Sequence, residues 1–436
     1  MYVHSTFLRL KKPIYHRFIF LPRHAWIGLF FLSLAAPTQG AAPTGKPDHP
    51  LTEPESIRLA LERPAIRSLA QSQIALAESE VTAAGRWPNP EIEYSREQVN
   101  RPSGDSTEES FWLTQRFELS GQRGLHKEAA EHRLQAAALG TKANGVEIAA
   151  DTRARFFRVL YQQMRLGSIE DWTQRLAEIG EVIRKRQRAG EVSGYDTLRM
   201  STEQAAAQAT FTKEQSSYKR AWAEFSAIVG GPEVTRAYDG VAGQLLPNPP
   251  GALETMLEAA AGRPDIAKLA KEAAAQELER SAGERGWVPE LTVGIGRKSV
   301  DDDLGVDSGP MIAAGITIPL FDRSQAEVQR AFAGAEIARN QHQLALTAAE
   351  GEIRGRWNEV TDLINTAWSQ HRTAHEEATR LVKIAEVAYR GGEIGILELL
   401  DAYRGAHEAQ LQVLETAVAA RQAQIELDRL TGGLAR

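Results

Sequence analysis

QRAGEVSGYDTL, residues 187–198, interrupts a stretch that otherwise reads as one very long helix, and YRGGEIGILELL, residues 389–400, repeats the interruption about 200 residues later. Each phrase carries an acidic residue six positions after its aligned glycine, Asp196 after Gly190 and Glu398 after Gly392. Gly190, Gly194, Gly392 and Gly395 supply the backbone freedom that a tight helix–helix reversal needs. The two acids fall just inside the following helix, where a negative charge suits the N-terminal dipole. Both phrases therefore read as reversal points between long helices.

Working outward, other landmarks recur in the same order. ERPAIRSLA (62–70) matches GRPDIAKLA (262–270), and GRWPNPEIEYSRE (85–97) matches RGWVPELTVGIGRK (285–298) with Trp87 and Trp287 in register. LTQRFELSGQR (113–123) corresponds to AAGITIPLFDRS (313–324), and the halves close on IVGGPE (228–233) and LTGG (430–433). A repeat of this length implies a duplicated structural unit. Pro64 and Pro264 sit where a helix begins, since proline is tolerated at the first helical position. Strand signals follow in EIEYSREQ, SFWLTQRFEL, ELTVGIGRKSV and MIAAGITIPLF, rich in β-branched and aromatic residues. The connections VNRPSGDSTEE and DDDLGVDSG read as long, exposed loops.

From Ser120 to Arg188 and from Asp322 to Arg390 there is no proline, so each run allows a helix of roughly 70 residues and ~100 Å. Val328, Ala331, Ala335, Ala338, His342, Ala345 and Ala349 alternate spacings of 3 and 4, as do Ile396, Leu399, Tyr403, Ala406, Gln410, Val413, Ala417 and Ala420. That period is a coiled-coil seam. Leu411, Leu414 and Val418 add a second stripe, so this helix meets two neighbours. The expected organisation is a linker at 42–51, a first repeat at 52–233 and an inter-repeat segment at 234–252. A second repeat at 253–436 follows, with strands near 91–118 and 290–320 and helical hairpins near 120–229 and 322–430.

The N-terminus adds a compartment. A basic leader (Arg9, Lys11, Lys12, Arg17, Arg23) precedes an apolar run near residues 25–36 and then small residues, the pattern of a signal peptide over 1–41. The run is about 12 residues, short of the ~20 that a membrane span needs. The chain has no cysteine, which excludes disulfides, thiolate metal sites and a lipidated N-terminal Cys. A formal charge of −6 gives no footprint for nucleic acid.

Four strands cannot close a barrel, for which about eight are needed. Yet these strands have the length that crosses a bilayer at a tilt, and open sheet edges are forbidden in lipid. Either the strands belong to a soluble domain or several chains pool them. Export and long hairpins on one side favour pooling: mainly α with a transmembrane β portion, an oligomeric tube in the outer membrane reaching across the periplasm.

The duplicated layout, the RPAI and RPDI starts, NPEIEY, the tip phrases and LTGG resemble the TolC family of outer-membrane efflux proteins, over roughly residues 50–436. FELSGQR and ITIPLFDRSQAEV are similar to its cobalt–zinc–cadmium subgroup. The resemblance implies a homotrimer with a 12-stranded β-barrel over a 12-helix periplasmic tunnel, in contact with outer-membrane lipid. It also implies a periplasmic adaptor and an inner-membrane resistance–nodulation–division pump as partners. The tips then form the periplasmic entrance. Asp196 and Tyr389 match the family's closing residues, but its arginine position is occupied by Ile394. Repeated around an axis, Asp196 and Glu398 would form carboxylate rings that favour cations; as helix-start acids they need no such role. Divalent heavy-metal cations are the expected cargo, with drugs, solvents or a polypeptide as alternatives on the same fold and a soluble adaptor as a different class.

Other constellations carry less. His371 and His375 are four apart with Glu376 beside them, but no third ligand is assured, and His126 and His132 are six apart. The five methionines are scattered, which argues for borderline divalent ions over Cu(I) or Ag(I). GIGRKS lacks a phosphate-loop pattern, and DDDLGVD lacks the flanking helices and final Glu of a calcium loop. The basic run RKRQRAG (184–190) reads as solvated or as a partner contact. No nucleophile–base pairing and no cofactor fingerprint is present, so the chain is expected not to be an enzyme.

Overall fold

The computed structural model describes residues 49–101, 104–302 and 305–432, without the side chains of Arg101, Ala374 and His375, and these belong to the unit Pro47–Arg436. The expected leader lies outside the described residues. Strand β1 (Leu51–Thr52) precedes helices α1 (Glu53–Leu61) and α2 (Pro64–Ala84). The hairpin β2 (Glu91–Arg101) and β3 (Gly104–Glu118) leads into α3 (Gln122–Arg188), which reverses into α4 (Gly194–Val229). Helix α5 (Pro232–Thr235), strand β4 (Val241–Ala242) and helix α6 (Leu253–Ala260) connect to the second copy. That copy runs α7 (Pro264–Gly283), β5 (Glu290–Asp302), β6 (Gly305–Thr317) and α8 (Gln325–Gln370). A π-helical turn at His371–His375 then joins α8 to α9 (Glu376–Gly391), and α10 (Ile396–Leu430) closes the copy.

Two details depart from the sequence reading. The connections expected as long loops are mostly strand: β2 and β3 pair up to Arg101 opposite Gly104, and β5 and β6 up to Asp302 opposite Gly305. Backbone pairing needs no apolar side chains, so polar residues extend the ladders, and Gly104 and Gly305 (φ 127° and 137°) take the positive φ at each turn. Secondly, α3 is α-helical over all 67 residues, whereas its counterpart of equal length is broken by the π turn.

The strands form one antiparallel sheet in the order β2-β3-β5-β6, leaving β2 and β6 as edges. Register sorts its two faces. Ile92, Leu113, Ile295 and Ile312 stand opposite one another, as do Phe117, Leu291 and Ile316. These rows are apolar and open, with Ile92 68 % and Ile312 84 % exposed. On the other face the rows are Glu93, Trp112, Gly296, Met311 and Ser95, Ser110, Lys298, Gly309. Trp112 lies over the bare backbone of Gly296, where a Cβ would stand 2.8 Å from its ring. One apolar and one polar face is the pattern of a sheet between lipid and an aqueous lumen. Trp87 packs edge-on against Phe117 at 6.2 Å under the Arg123 guanidinium, with Trp287 exposed nearby in sequence to β5, as in an interfacial aromatic belt. No helix among the described residues is long and apolar enough to cross a membrane.

The helical part follows the seams. Ala331, Ala335, Ala338 and Ala349 of α8, and Ile396, Leu399, Tyr403, Ala417 and Ala420 of α10, are buried; the second stripe of α10 buries Leu414. Helix α10 packs against both α3 and α8. The inter-repeat segment is tied down by β1–β4 pairing and by Arg421. The guanidinium of Arg421 donates to the carbonyls of Leu245, Gln244 and Leu246 and lies 4.4 Å over the Phe157 ring. Burial lowers its pKa to about 10, which leaves it cationic at neutral pH.

Near the strand end of α3, His126 Nδ1 lies 2.8 Å from Glu279 of α7, which Arg133 also contacts at 2.9 Å. The hydrogen bond to Glu279 raises the His126 pKa against desolvation. Glu279 is shifted down: desolvation opposes this, and the bonds from His126 and Arg133 overcome it.

Two outcomes follow. Arg421→Met should leave three carbonyls without a donor and destabilise the protein by about 1–3 kcal/mol per orphaned group, read as a lower melting temperature and faster proteolysis within 237–251. The His126 contribution is present below the unfolded imidazole pKa of ~6.5 and is lost as pH rises through the higher folded value. Replacing His126 with Gln should flatten that part of the stability–pH curve; an unchanged curve would assign the pH dependence elsewhere.

Candidate functional site at the hairpin tips

Both long helices end by the same chemistry. The N–H of Glu191 donates to Arg186 O at 2.9 Å and that of Gly190 to Gln187 O at 2.9 Å; Glu393 and Gly392 repeat this to Ala388 O and Tyr389 O. This is the Schellman closure, which needs a left-handed residue, and Gly190 and Gly392 provide it at φ 78° and 77°. Gly194 and Gly395 do not take that conformation: Gly194 opens α4, and Gly395, at φ −84°, is the N-cap of α10. Of the four tip glycines, two are therefore required by backbone geometry.

The acids occupy equivalent positions in the returning helices. Ser193 Oγ accepts from the Asp196 N–H at 3.2 Å, and Asp196 Oδ2 accepts from the Ser193 N–H at 3.1 Å, a reciprocal capping box. At the second tip the cap is Gly395, which has no hydroxyl, and the Glu398 carboxylate folds back over it: a Cβ on Gly395 would lie 2.9 Å from Glu398 Oε2. Glu398 is exposed and Asp196 half-exposed.

Tyr389 is buried, 7 % exposed, in a cluster shared by α3, α4, α9 and α10 that includes Leu176, Ile183, Met200, Val382 and Leu399. The geometry does not bring Asp196 and Tyr389 together: among the described residues no hydrogen bond joins them. Arg186 of α3 takes that place, 5.4 Å over the Tyr389 ring and 3.2 Å from Glu191. Its pKa is held up first by the Glu191 hydrogen bond and then by Tyr389. Ile394 packs against the same apolar cluster. Arg186 belongs to the basic run read as solvated or partner-facing; nothing in its local pattern marks it as a tip residue, because Tyr389 lies far off in sequence. A further tie is Arg404 of α10, which contacts both carboxylate oxygens of Glu203 of α4 at 3.1 Å.

Above the tips, α3 and α9 flank a groove floored by α10, with hollows of about 270 and 400 Å³. In the upper hollow His407 stacks on Trp172 at 5.7 Å, and burial, then Arg165, lowers its pKa, so the floor is neutral at pH 7. Glu178 and Arg390 line the lower hollow. His371 lies 3.8 Å from Glu376, and among the described residues no group of three or more His, Cys, Asp or Glu is placed to hold a metal ion.

Known proteins share both fold and sequence. The cobalt-zinc-cadmium resistance protein CzcC of Cupriavidus metallidurans is 25 % identical over 361 residues, covering 81 % of this chain and 83 % of that one. The nickel-cobalt-cadmium resistance protein NccC of Alcaligenes xylosoxydans xylosoxydans is 27 % identical over 296 residues, 62 % and 65 % of the two chains. The solved structure of CusC superposes with a TM-score of 0.71 at 15 % identity, covering 90 % of this chain and 95 % of that one. The Campylobacter jejuni CmeC outer membrane channel gives 0.71 at 16 %, with 87 % and 85 % covered. The outer membrane efflux protein family matches residues 57–231 and 256–433, one segment for each repeat. With both repeats matched by that family, this chain belongs to the outer membrane efflux protein family: it is an outer-membrane channel, not an enzyme.

Proposed function

We propose that this chain is the passive exit duct for divalent heavy-metal cations in a tripartite efflux system. The observation that carries the cargo is that CzcC, NccC and the nickel and cobalt resistance protein CnrC, all named for such ions, are its relatives over 62 to 81 % of the chain. The sheet supports a homotrimer held in outer-membrane lipid: four strands with two open edges and one apolar face become twelve when three copies pool them. The groove between α3 and α9 suits the helical hairpin of a periplasmic adaptor, with an uncharged floor of Leu399, Tyr403, Ala406, His407 and Gln410 and charged rims. A resistance–nodulation–division pump in the inner membrane would supply the driving force.

The tips are the entrance in this reading. Asp196 caps α4 with Oδ2, and its other oxygen takes no part in the cap, so it can act both as helix starter and in a ring of carboxylates toward the pore. Glu398 adds a second, more exposed ring. Closure within each copy rests on Tyr389 beneath Arg186, in place of an ion pair at Ile394.

Deleting the gene should sensitise the host to Zn, Co, Cd or Ni salts; sensitivity confined to drugs would reverse the cargo assignment. Two variants separate charge from capping in single-channel recordings. Asp196→Asn keeps an acceptor for the cap and should weaken block by divalent cations. Ser193→Ala should leave that block in place while lowering stability by about 1 kcal/mol. Unchanged block in Asp196→Asn would end the ring reading.

A further inference from the structure

We propose that the rim of the sheet's apolar face nearest the hairpin turns binds a bisphosphorylated glycolipid of the outer leaflet, with Arg96 and Arg297 on its phosphates. This rests on the reading above in which that face meets outer-membrane lipid. The long helices leave one end of the sheet, so the turns at Arg101–Gly104 and Asp302–Gly305 mark the extracellular end. The apolar rows begin at Phe117, Leu291 and Ile316 and pass through Ile92, Leu113, Ile295 and Ile312. One row further toward the turns stand Tyr94, Phe111, Arg297 and Pro310. Phe117 and Phe111 are six residues apart, about 20 Å along a strand, so aromatic rings bracket the apolar band as the girdles of a membrane barrel do.

Arg297 is the first charge met on this face within the strands. Its guanidinium donates to Ser308 Oγ at 2.8 Å, in the next outward row, so the side chain leans toward the turns. That is the direction in which a lipid-facing arginine snorkels to headgroup level. Among the described residues Arg297 forms no ion pair. In the same next row Arg96 lies 3.7 Å from Glu109 Oε1, which also accepts from the Tyr94 hydroxyl at 3.0 Å. Arg96 and Arg297 stand two strands apart, roughly 10 Å. That spacing suits two phosphates at the ends of a disaccharide, and a planar guanidinium takes each phosphate through paired hydrogen bonds. Register places these charges. In the outward rows of Tyr94 and Arg96 two bases meet one acid, Glu109, whereas the interleaved rows of the other face set Glu93, Glu97, Glu108 and Asp307 against Lys298 alone. A slip of one residue would exchange the two sets and turn the acids toward the anionic lipid.

Titration of the assembled channel in detergent with purified bisphosphorylated lipid A, read by native mass spectrometry, tests this. The parent should bind one molecule per copy, and should bind enzymatically dephosphorylated lipid A about tenfold more weakly. Arg96→Gln with Arg297→Gln should cause the same loss for the phosphorylated lipid, while Arg297→Lys, which keeps the charge, should retain most of the binding. Lys298→Gln, the next residue along but on the opposite face, should change nothing. Equal binding of both lipids by the parent, or full binding by the double Gln variant, overturns the proposal. Equally tight binding of phosphatidylglycerol overturns it too, since one phosphate would then suffice. The chain contains no cysteine, so single cysteines test the underlying reading separately. In intact outer membranes Ile312→Cys should be shielded from a water-soluble maleimide, and Met311→Cys should be labelled through the lumen. Labelling at Ile312 removes the lipid-facing reading itself; shielding there, with lipid A binding indifferent to the arginines, removes only the glycolipid site.

Discussion

A backbone N–H or C=O without a partner is costly in hydrocarbon, and β2 and β6 each present a row of them at the edge of a sheet whose rows of Ile92, Leu113, Ile295 and Ile312 are apolar and exposed. The chain cannot meet that requirement alone, since four strands do not close. The rest of the design follows from pooling strands between copies. Two strand pairs per chain require two hairpins hung beneath them, and duplication of one unit supplies both. The sheet's other face carries Trp112 over the bare backbone of Gly296 beside Glu93, Ser95, Ser110 and Lys298.

Below the sheet the structure is governed by alanine seams. Small residues at Ala331, Ala335, Ala338, Ala417 and Ala420 leave little side-chain volume between helices, so close packing over many turns replaces a single large core. Larger side chains appear where direction must be fixed: Phe156, Phe157 and Phe225 at the inter-repeat segment, and Trp172, Tyr389 and Tyr403 toward the tips. Charge does comparable work in a few buried places. Arg421 holds the inter-repeat segment through three carbonyls, and Arg153 is shared between Glu53 and Asp428, joining the start of the first repeat to the end of the second. A buried pair of this kind is strongly destabilising to break, whatever its net contribution when intact.

At the tips the two hairpins look alike in backbone and differ in side chains. Both use a Schellman glycine, but only the first has a hydroxyl cap, and only the second carries Tyr389. Arg186 provides the contact between them. Its cation–π geometry tolerates some sliding, unlike a short carboxylate–guanidinium pair.

Much of this was legible in the residues because it depends on local periodicity. The 3,4 spacing from Val328 to Ala349, the prolines at 64 and 264, and the glycines followed six residues later by Asp196 and Glu398 each state a local conformation. Duplication then gave the order of elements. What the local pattern could not carry was phase and partnership across distance. The π turn at His371–His375 leaves composition and spacing ordinary on both sides, so no local pattern announces it. Likewise Arg186 lies in a run of basic residues, and only the packing of α3 against α9 and α10 shows which of them meets Tyr389. Sequence determined the elements and their repetition; tertiary structure decided which faces meet, since contacts between segments some 200 residues apart depend on rotation and register that no local window contains.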